Sequence, residues 1–375
     1  MIARIDLGVL EIDLTGLSGS QADAHLHEII KERERAAFAS LCAQREAIDL
    51  ADRHCACGGQ YTIKDRRVRT ISTLGGEVEV VVRRLRCPDC GAQYRPLDGF
   101  LAPGTRHTLP VIERGLYLAT DLSYAKSSAA LDRLCGAKIS HGQLQRLAEA
   151  EGSRIDASLH AAADDLYGLG LDPGEVVTRT RGDTLVIALD GGAVPDRATG
   201  EAFEAKVAIL YGVRAEVSRG RHALVDRVGY AGIEDSVTFA KRVSTLAIMQ
   251  GMRSAGRVLA IGDGAGWIRR MIRDFLPGAV YLLDLFHLKR RIREVLCEEE
   301  DAGLLANAEG IANYARSDLF GSGCVEKGVD LIVSRRFKGL GRTWFKPGAL
   351  GMLKLRMLRF NGQWDGYWAE RLAAA

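Results

Sequence analysis

The stretch Thr184-Leu185-Val186-Ile187-Ala188-Leu189-Asp190-Gly191-Gly192 decides the fold of the larger part of this chain. Its near-continuous apolar run is typical of a strand that is buried on both faces of a sheet. A second such run, Arg257 to Ile261, ends in Gly262-Asp263-Gly264. The two stretches therefore predict two buried strands, each followed by an aspartate.

The segments around these runs predict the rest of an α/β domain. Further candidate strands lie at 206–217, 223–230 and 279–283, and amphipathic helices at 239–247 and 267–275. Three strands followed by helix, strand, helix, strand and helix is the order of a ribonuclease H-like domain. We therefore expect a mixed sheet flanked by helices, in which the first and fourth strands are neighbours.

This order places two acids where they could bind metal. Asp190 ends the first strand and Asp263 the fourth, and carboxylates at adjacent strand ends can hold hard divalent cations. A third carboxylate should come from a later helix, and Glu326 fits because it shares a helix face with Val329 and Val333. Two Mg²⁺ ions, with Mn²⁺ as an alternative, would serve phosphodiester displacement at such a site. The alternative for each acid is a helix cap or a surface charge.

A glycine pattern in the same region leaves a second interpretation open. Gly262-x-Gly264-x-Gly266 lies between a strand and a helix, as in loops that bind nucleotide cofactors. Trp267 occupies the position of the third glycine, and Asp284 is the one acid near the position expected for ribose binding. The fit to a cofactor loop is partial.

Four of the eight cysteines form two close pairs in the N-terminal half. Cys55-Ala56-Cys57-Gly and Cys87-Pro-Asp-Cys90-Gly resemble the two half-sites of a four-cysteine structural zinc site. The first pair has one residue fewer than the usual spacing, and His54 could replace one sulfur. The alternative is a redox pair, but no thioredoxin-like strand and helix follow Cys90. We expect a zinc ribbon that holds one Zn²⁺.

Residues 62–86, between the two cysteine pairs, have the alternation and glycine turn of a hairpin. Between Arg53 and Arg106 there are ten Lys or Arg residues against five acids. The candidate DNA-binding residues are Arg66, Arg67 and Arg69 on one strand and Arg83, Arg84 and Arg86 on the other. Such a basic hairpin suits a phosphate backbone, although a charge run is commonly just a solvated surface.

After the ribbon the sequence turns helical. Two short helices, at 111–121 and 123–134, precede a third that opens at Ser140-His141-Gly142-Gln143 and is expected to continue to about Leu166. The outline fits a helix-turn-helix or an ordinary helical hairpin. The predicted domains are an N-terminal strand and helix region at 1–50, the zinc ribbon at 51–106, a helical DNA-binding region and linker at 107–175, and the catalytic domain at 176–375.

Together these motifs resemble bacterial insertion-sequence transposases with a DDE catalytic domain, of the ISKra type. The motifs that carry the resemblance are Asp190-Gly191-x-x-Val194-Pro195, Gly262-Asp263-Gly264-Ala265-x-Trp267-Ile268, Asp284-x2-His287, Gly321-Ser322-Gly323-x2-Glu326, Asn361-Gly362-x-Trp364-Asp365-x-Tyr367-Trp368, and the cysteine ribbon followed by Pro96-Leu97-Asp98. The resemblance spans roughly residues 50–370.

The resemblance implies a transposase that binds the terminal inverted repeats of its element, then cuts and joins DNA strands. Asp190, Asp263 and Glu326 would be its catalytic acids, with Asp284 and His287 in support. Double-stranded DNA, at the element ends and at the target, would be the partner of a homodimer or larger assembly.

One departure from the family concerns the segment before the third acid. Only residues 288–320 lie there, where the family usually has a long helical insertion. The alternative function is therefore a catalytically inactive or domesticated DNA-binding protein derived from a transposase. A weaker alternative is a nuclease of the same fold that cuts without joining.

Composition limits the compartment and says little about partners. The 375 residues have a formal net charge of +3, which neither indicates nor excludes nucleic acid. No run of about 18 apolar residues occurs, and acids interrupt the N-terminal segment. We therefore expect a cytoplasmic, nucleoid-associated protein that neither spans a membrane nor is secreted.

Overall fold

A five-stranded sheet, a three-stranded sheet, a two-stranded sheet and their helices make up the part of the chain that the structure, a computed structural model, describes. These are residues 3, 5–10, 12, 15–51, 53–101, 106–180, 183–219, 221–283, 323–339 and 342–374. Asp284, His287 and the 288–320 segment lie outside them. The chain divides into two compact units: Met1–Leu147 with Gly366–Ala375, and Ala148–Asp365.

The strands and helices are as follows in chain order. The strands are β1 (Thr62–Thr73), β2 (Gly76–Arg86), β3 (Gln93–Tyr94), β4 (Thr184–Pro195), β5 (Ala202–Tyr211), β6 (Val213–Ser218), β7 (Arg221–Val225), β8 (Val228–Gly232), β9 (Arg257–Gly262) and β10 (Val280–Leu283). The α-helices are α1 (Gly19–Ala51), α2 (Leu109–Asp121), α3 (Tyr124–Cys135), α4 (His141–Gly152), α5 (Ala157–Asp164), α6 (Ser236–Met249), α7 (Gly266–Phe275), α8 (Gly323–Val329), α9 (Lys346–Phe360) and α10 (Trp364–Ala373), with a further short turn at Arg335–Phe337.

The second unit contains a five-stranded sheet in the order β10-β9-β4-β5-β8. The apolar run at 184–189 forms its central strand. β9 and β10 run parallel to their neighbours, whereas β4 pairs antiparallel with β5, and β5 antiparallel with β8. The predicted mixed α/β sheet with flanking helices is confirmed at this level.

The two faces of β4 meet different helices, because successive side chains on a strand point to opposite faces. Leu185, Ile187 and Leu189 belong to a core cluster that includes Phe239 of α6 and Met271 of α7. Val186, Ala188, Asp190 and Gly192 point to the other face. The segment that continues α8 covers that second face, since Val333 is packed against Gly192.

The two strands predicted between 206 and 230 are wrong in number. β5 and β6 occupy the first segment, and β7 and β8 the second. β6 and β7 form a separate two-stranded sheet, which is why β8 and not the whole 223–230 segment pairs with β5. Asp226, between β7 and β8, has φ 55°, which the extended backbone of one continuous strand does not allow.

The helix predicted to run from Ser140 to Leu166 is also wrong. α4 ends at Gly152, a turn follows, and α5 begins at Ala157, after which a π-helical segment spans Asp165–Leu169. The break has an electrostatic reason. Lys354 is 2% exposed, and its Nζ lies 2.9 Å from Oδ2 of Asp156, which has φ 64°. The ion pair with the buried ammonium stabilises Asp156 in this left-handed backbone conformation. A right-handed α-helix does not contain that conformation, so the helix is interrupted there.

A buried polar network on β8 involves His160 of α5. The hydroxyl of Tyr230 donates to Glu234 Oε1 at 2.9 Å and accepts from Arg242 Nη1 at 3.0 Å. His160 Nε2 lies 3.2 Å from the same hydroxyl. Because the hydroxyl proton is given to Glu234, we infer that Nε2 carries the hydrogen of a neutral imidazole.

This network predicts a pH dependence of stability. Burial, together with the charges of Lys354 and Arg242, lowers the pKa of His160 from 6.5 to about 4. The unfolded chain therefore binds this proton first, so the free energy of unfolding should fall as the pH drops from 6.5 towards 4. Since His160 is half-buried, we expect a loss of about 1–2 kcal/mol. Urea unfolding of wild type and His160→Gln at pH 7 and pH 4.5 measures it. Equal pH dependence in the two proteins would contradict this role.

In the first unit, β1, β2 and β3 form an antiparallel sheet in that order. Ile71, Val78 and Val80 pack with Cys42 of α1 and with Leu97. α2, α3 and α4 begin within two residues of their predicted first residues. At the start of α4, Ser140 Oγ accepts a hydrogen bond from the backbone N–H of Gln143 at 3.3 Å. Among the described residues, no helix is sufficiently long and apolar to cross a membrane.

Candidate metal centres

The hairpin of β1 and β2 brings the two cysteine pairs together. All four sulfurs lie within 4.8 Å of one another. Cys55 and Cys90 are 3.5 Å apart, as are Cys57 and Cys87. Four sulfurs around one Zn²⁺ at about 2.3 Å form a tetrahedron with edges of about 3.8 Å. The four cysteines can therefore bind a metal such as zinc, and His54 is not part of the group.

The short spacing of the first pair is compatible with this geometry. In each pair the backbone N–H of the glycine after the second cysteine donates to the carbonyl of the first, at 2.9 Å for Gly58 to Cys55 and 3.0 Å for Gly91 to Cys87. Both glycines have positive φ, 89° and 76°, which favours glycine. The turn at Cys55–Gly58 thus has the same closing hydrogen bond as the turn at Cys87–Gly91, with one residue fewer between the two cysteines.

The pKa values of these thiols depend on one another. A hydrogen bond from the backbone N–H of Cys57, supported by Tyr61, lowers the pKa of Cys55 to about 6. The backbone N–H of Gly59 acts in the same direction on Cys57, but contacts with the other sulfurs raise its pKa to about 12. One cysteine of the cluster therefore loses its proton readily, and the negative charge opposes loss of a proton from the others. A bound cation would favour the thiolate form of the other cysteines.

The six arginines predicted to bind DNA lie on both strands of this hairpin, as expected, but on two faces. Arg66 pairs across the strands with Arg83, whereas Arg67 pairs with Val82 and Arg69 with Val80. Arg84 lies opposite Asp65, and Arg86 opposite Thr62 near the cysteines. A bulge between Ile63 and Asp65 shifts the register. Their role in DNA binding stays a prediction.

Asp190 and Asp263 lie at the same edge of the five-stranded sheet. The parallel pairing of β4 with β9 includes Ala188 opposite Ile261. Asp190 follows Ala188 by two residues within β4, and Asp263 follows Ile261 by two, directly after the end of β9 at Gly262. Since adjacent strands are about 4.8 Å apart, the two carboxylates are neighbours on one sheet edge. Both residues are half-buried.

Local hydrogen bonds orient each of these carboxylates. Asp190 Oδ1 accepts from the backbone N–H of Gly191 at 2.7 Å, and Asp263 Oδ1 accepts from that of Ala265 at 2.9 Å. Bonds of this kind between a carboxylate and a nearby backbone N–H restrict the carboxylate to one rotamer. The edge therefore presents two oriented carboxylates.

The helix that carries Glu326 crosses the same face of β4. A Cβ at Gly192 would lie 2.9 Å from Cγ1 of Val333 and 3.4 Å from Cγ1 of Val329, so the lack of a side chain there lets the helix approach. Glu326 precedes Val329 by three residues, which places it on the same helix face one turn earlier. It is half-buried, and Val329 and Val333 are buried, as predicted.

The carboxylates of Asp190, Asp263 and Glu326 do not lie close enough together to form one group of metal ligands. Within the described ranges, the four cysteines are the one set of three or more metal-ligating side chains that lie within 4.8 Å of one another. The structure therefore brings Asp190 and Asp263 to the same edge of the sheet, and the helix of Glu326 to one face of β4.

Comparison with models of protein families identifies the family of this chain. A model of the uncharacterised protein family UPF0236 matches residues 23–302. The chain belongs to this family. The UPF0236 match covers the four cysteines, the basic hairpin, Asp190 and Asp263, whereas Glu326 lies beyond it. No curated protein matches the chain.

Sequence reasoning missed a buried cation of this UPF0236 protein, on the face of the sheet opposite to that of Asp190. Lys206 of β5 pairs across the strands with Gly191, the neighbour of Asp190. Its Nζ lies 3.2 Å from Glu204 and 2.9 Å from the carbonyl of Glu234. It is buried, with Nζ 5.8 Å from the ring centre of Trp267. A lysine in the apolar alternation of β5 was the signal that could have drawn attention to it.

Proposed function

We propose that this protein is a DNA transposase that binds the ends of its element and performs metal-dependent strand cleavage and transfer. The observation that carries the proposal is the parallel pairing of β4 with β9, which ends at Ala188 opposite Ile261, two residues before Asp190 and Asp263. Carboxylates in that arrangement are suited to divalent cations and to phosphodiester chemistry.

The strand order supports a ribonuclease H-like catalytic domain. The central strand β4 has the antiparallel β5 on one side and the parallel β9 on the other. This is the order predicted from the sequence, in which the first and fourth strands of the domain are adjacent. The inserted β6–β7 hairpin leaves that order intact.

The donor atoms at the edge fit hard cations. They are carboxylate oxygens, already oriented by the N–H groups of Gly191 and Ala265. We propose that Asp190, Asp263 and Glu326 hold two Mg²⁺ ions, or Mn²⁺. When bound, such ions activate the attacking oxygen and stabilise the leaving oxygen. Asp284 and His287 are proposed to support the site, from the motif resemblance alone.

The chemistry consists of two displacements at phosphorus. In the first, water is added across a P–O3′ bond, which leaves a 3′-hydroxyl and a 5′-phosphate. In the second, the oxygen of that 3′-hydroxyl replaces the 3′ oxygen of a target phosphodiester, so one bond forms and one breaks. Neither displacement needs a serine or tyrosine nucleophile, and the carboxylates fix where the reacting phosphate can lie.

DNA recognition is proposed for the N-terminal unit. The cysteine cluster there would hold a structural Zn²⁺ in a zinc ribbon, whose hairpin carries six arginines. α2, α3 and α4 would add helix-turn-helix-like contacts. The motif resemblance to ISKra-type transposases supports terminal inverted repeats and target DNA as partners, a homodimer or larger assembly on DNA, and a cytoplasmic, nucleoid-associated location.

A second candidate function is DNA binding without catalysis. The observation that favours it is that Asp190, Asp263 and Glu326 are not all within 4.8 Å of one another in the described structure. A decayed or domesticated copy would keep the zinc site and the basic hairpin and would lose turnover.

Incubation of the zinc-loaded protein with a plasmid that carries the repeats flanking its gene separates the two functions. The transposase account predicts Mg²⁺-dependent nicks at the repeat ends. Retention of repeat DNA, with no nick in Mg²⁺ or Mn²⁺, would favour the binding protein.

A further inference from the structure

One face of the β1–β2 hairpin changes from apolar to basic along its length. Near the turn it presents Ile71 and Val78, which are part of the core of the first unit. Further along the same face follow Arg69 and Arg67 on β1 and Arg84 on β2, in agreement with the cross-strand register. On this face the basic residues of β1 lie directly opposite Val80, which belongs to the core, and Val82, which packs against it.

Two arginines from outside the hairpin converge on the same place. Arg95 directly precedes the 3₁₀ turn at Pro96–Gly99, and Arg106 directly precedes His107, which bridges to Ser72 of β1. Together they border a cavity of about 390 Å³. We call it the arginine groove, after Arg67, Arg69, Arg84, Arg95 and Arg106, which line it with Arg83, Asp65, Asp98, Val68, Val82 and Leu97.

The charges of the groove do not balance. Six arginines line it against two aspartates, and because Arg83 is paired with Glu46 outside the groove, five arginines and two aspartates remain. Asp65 is shared by Arg84, to which it is hydrogen-bonded, and Arg67, whose Nη2 is 3.8 Å away. Arg95 Nη1 lies 3.7 Å from Asp98 Oδ2, so this ion pair is too long for a hydrogen bond. Like charges held this close repel one another, and a polyanion relieves that repulsion.

The opposite side of the hairpin is different in character. Arg83 is tied to α1, since its backbone N–H donates to Glu46 Oε1 at 2.9 Å and its guanidinium pairs with the other carboxylate oxygen. Glu46 is 3% exposed. The larger cavity beside it, of about 740 Å³, has seven apolar side chains among its twelve lining residues, and Glu46 and Glu79 accompany its three arginines, Arg53, Arg66 and Arg83. A phosphate backbone has little to bind there.

From these contacts we infer that the arginine groove is the surface that binds the phosphate backbone of duplex DNA. Arg95 and Arg106 join Arg67, Arg69 and Arg84 as phosphate-binding residues, whereas Arg83 positions α1. Guanidinium groups bind phosphate oxygens through paired N–H donors, and such contacts carry no base sequence. This inference rests on the proposed DNA binding and selects the face and residues that perform it.

The test compares two double variants that remove equal charge from the two sides. Arg95→Gln with Arg106→Gln changes the groove, and Arg45→Gln with Arg53→Gln, in and just after the last turns of α1, is the matched control. Affinity for a fluorescent duplex of about 30 base pairs is measured by anisotropy from about 50 to about 300 mM salt. Zinc content and circular dichroism spectra are first shown to be the same in all variants. Each phosphate contact contributes about 0.9 to the slope of log affinity against log salt.

We expect the groove variant to lower that slope by about 2 and to weaken binding at least about tenfold at 100 mM salt. The control variant should keep the wild-type slope. Arg95→Lys with Arg106→Lys should retain most of the wild-type slope, because both positive charges remain. Should the control lose the slope while the groove variant keeps it, the inference fails and DNA binding stands. Should wild type show no salt-dependent DNA binding, the proposed function fails as well.

Discussion

Asp190→Asn and Asp263→Asn should each lower the rate of Mg²⁺-dependent nicking at the repeat ends by at least about 10³-fold. Stabilisation of developing charge at such a site contributes several kcal/mol, and each 1.4 kcal/mol corresponds to a factor of ten. Asparagine keeps the size and one oxygen, so the fold and the bond to the following backbone N–H should survive. Initial nicking rates on the supercoiled plasmid, with DNA affinity measured in parallel, give the result.

A matched control exists on α7. Asp274 is an exposed aspartate whose partner is the adjacent Arg273, at 2.6 Å. Asp274→Asn removes the same charge from the unit without touching the sheet edge, and it should keep wild-type activity. Glu326→Gln should behave like the two aspartate variants. Full activity in any one of the three would remove that residue from the catalytic assignment.

The second large effect concerns the cysteine cluster. Cys90→Ser should lower the bound zinc from about one ion per chain to nearly none, because a tetrahedral site with three sulfurs loses most of its affinity. Structural zinc sites contribute about 10–16 kcal/mol of binding free energy that is also folding free energy. The hairpin end near residues 53–61 and 87–95 should then become sensitive to protease, and DNA affinity should fall.

Cys135→Ser is the control for that experiment. Cys135 is half-buried in α3 and lies outside the cluster. This variant should keep its zinc, as measured by elemental analysis, and its protease resistance. Full zinc content in Cys90→Ser would show that the four sulfurs do not form the site.

The sequence predicted the parts of the fold in which local pattern and burial agree. β4 and β9 are apolar runs because both faces of the sheet are covered where they lie, and each run continues into an aspartate at the same edge. The helix face of Glu326 followed from its spacing to Val329 and Val333. The cysteines could be grouped because a hairpin joins their two turns.

What the sequence could not predict depends on contacts between distant residues. The break between α4 and α5 follows from Asp156 meeting Lys354, nearly 200 positions later. Strand alternation divides the hairpin arginines between two faces, but the different role of Arg83 depends on its contact with Glu46 of α1. Arg95 and Arg106 were counted in the basic stretch, but only the path of the chain around Pro96–Gly99 brings them to the groove.

The central claim is that the acids at the sheet edge serve phosphodiester transfer, and sequencing of joined DNA products tests it most directly. Zinc-loaded protein, a repeat-carrying donor and a target plasmid are incubated in Mg²⁺, and donor–target junctions are counted. The account predicts junctions at the 3′ ends of the repeats, absent without metal and absent in Asp190→Asn. Protein that binds the repeats and yet gives no junctions in Mg²⁺ or Mn²⁺, or gives them equally in Asp190→Asn, would contradict it.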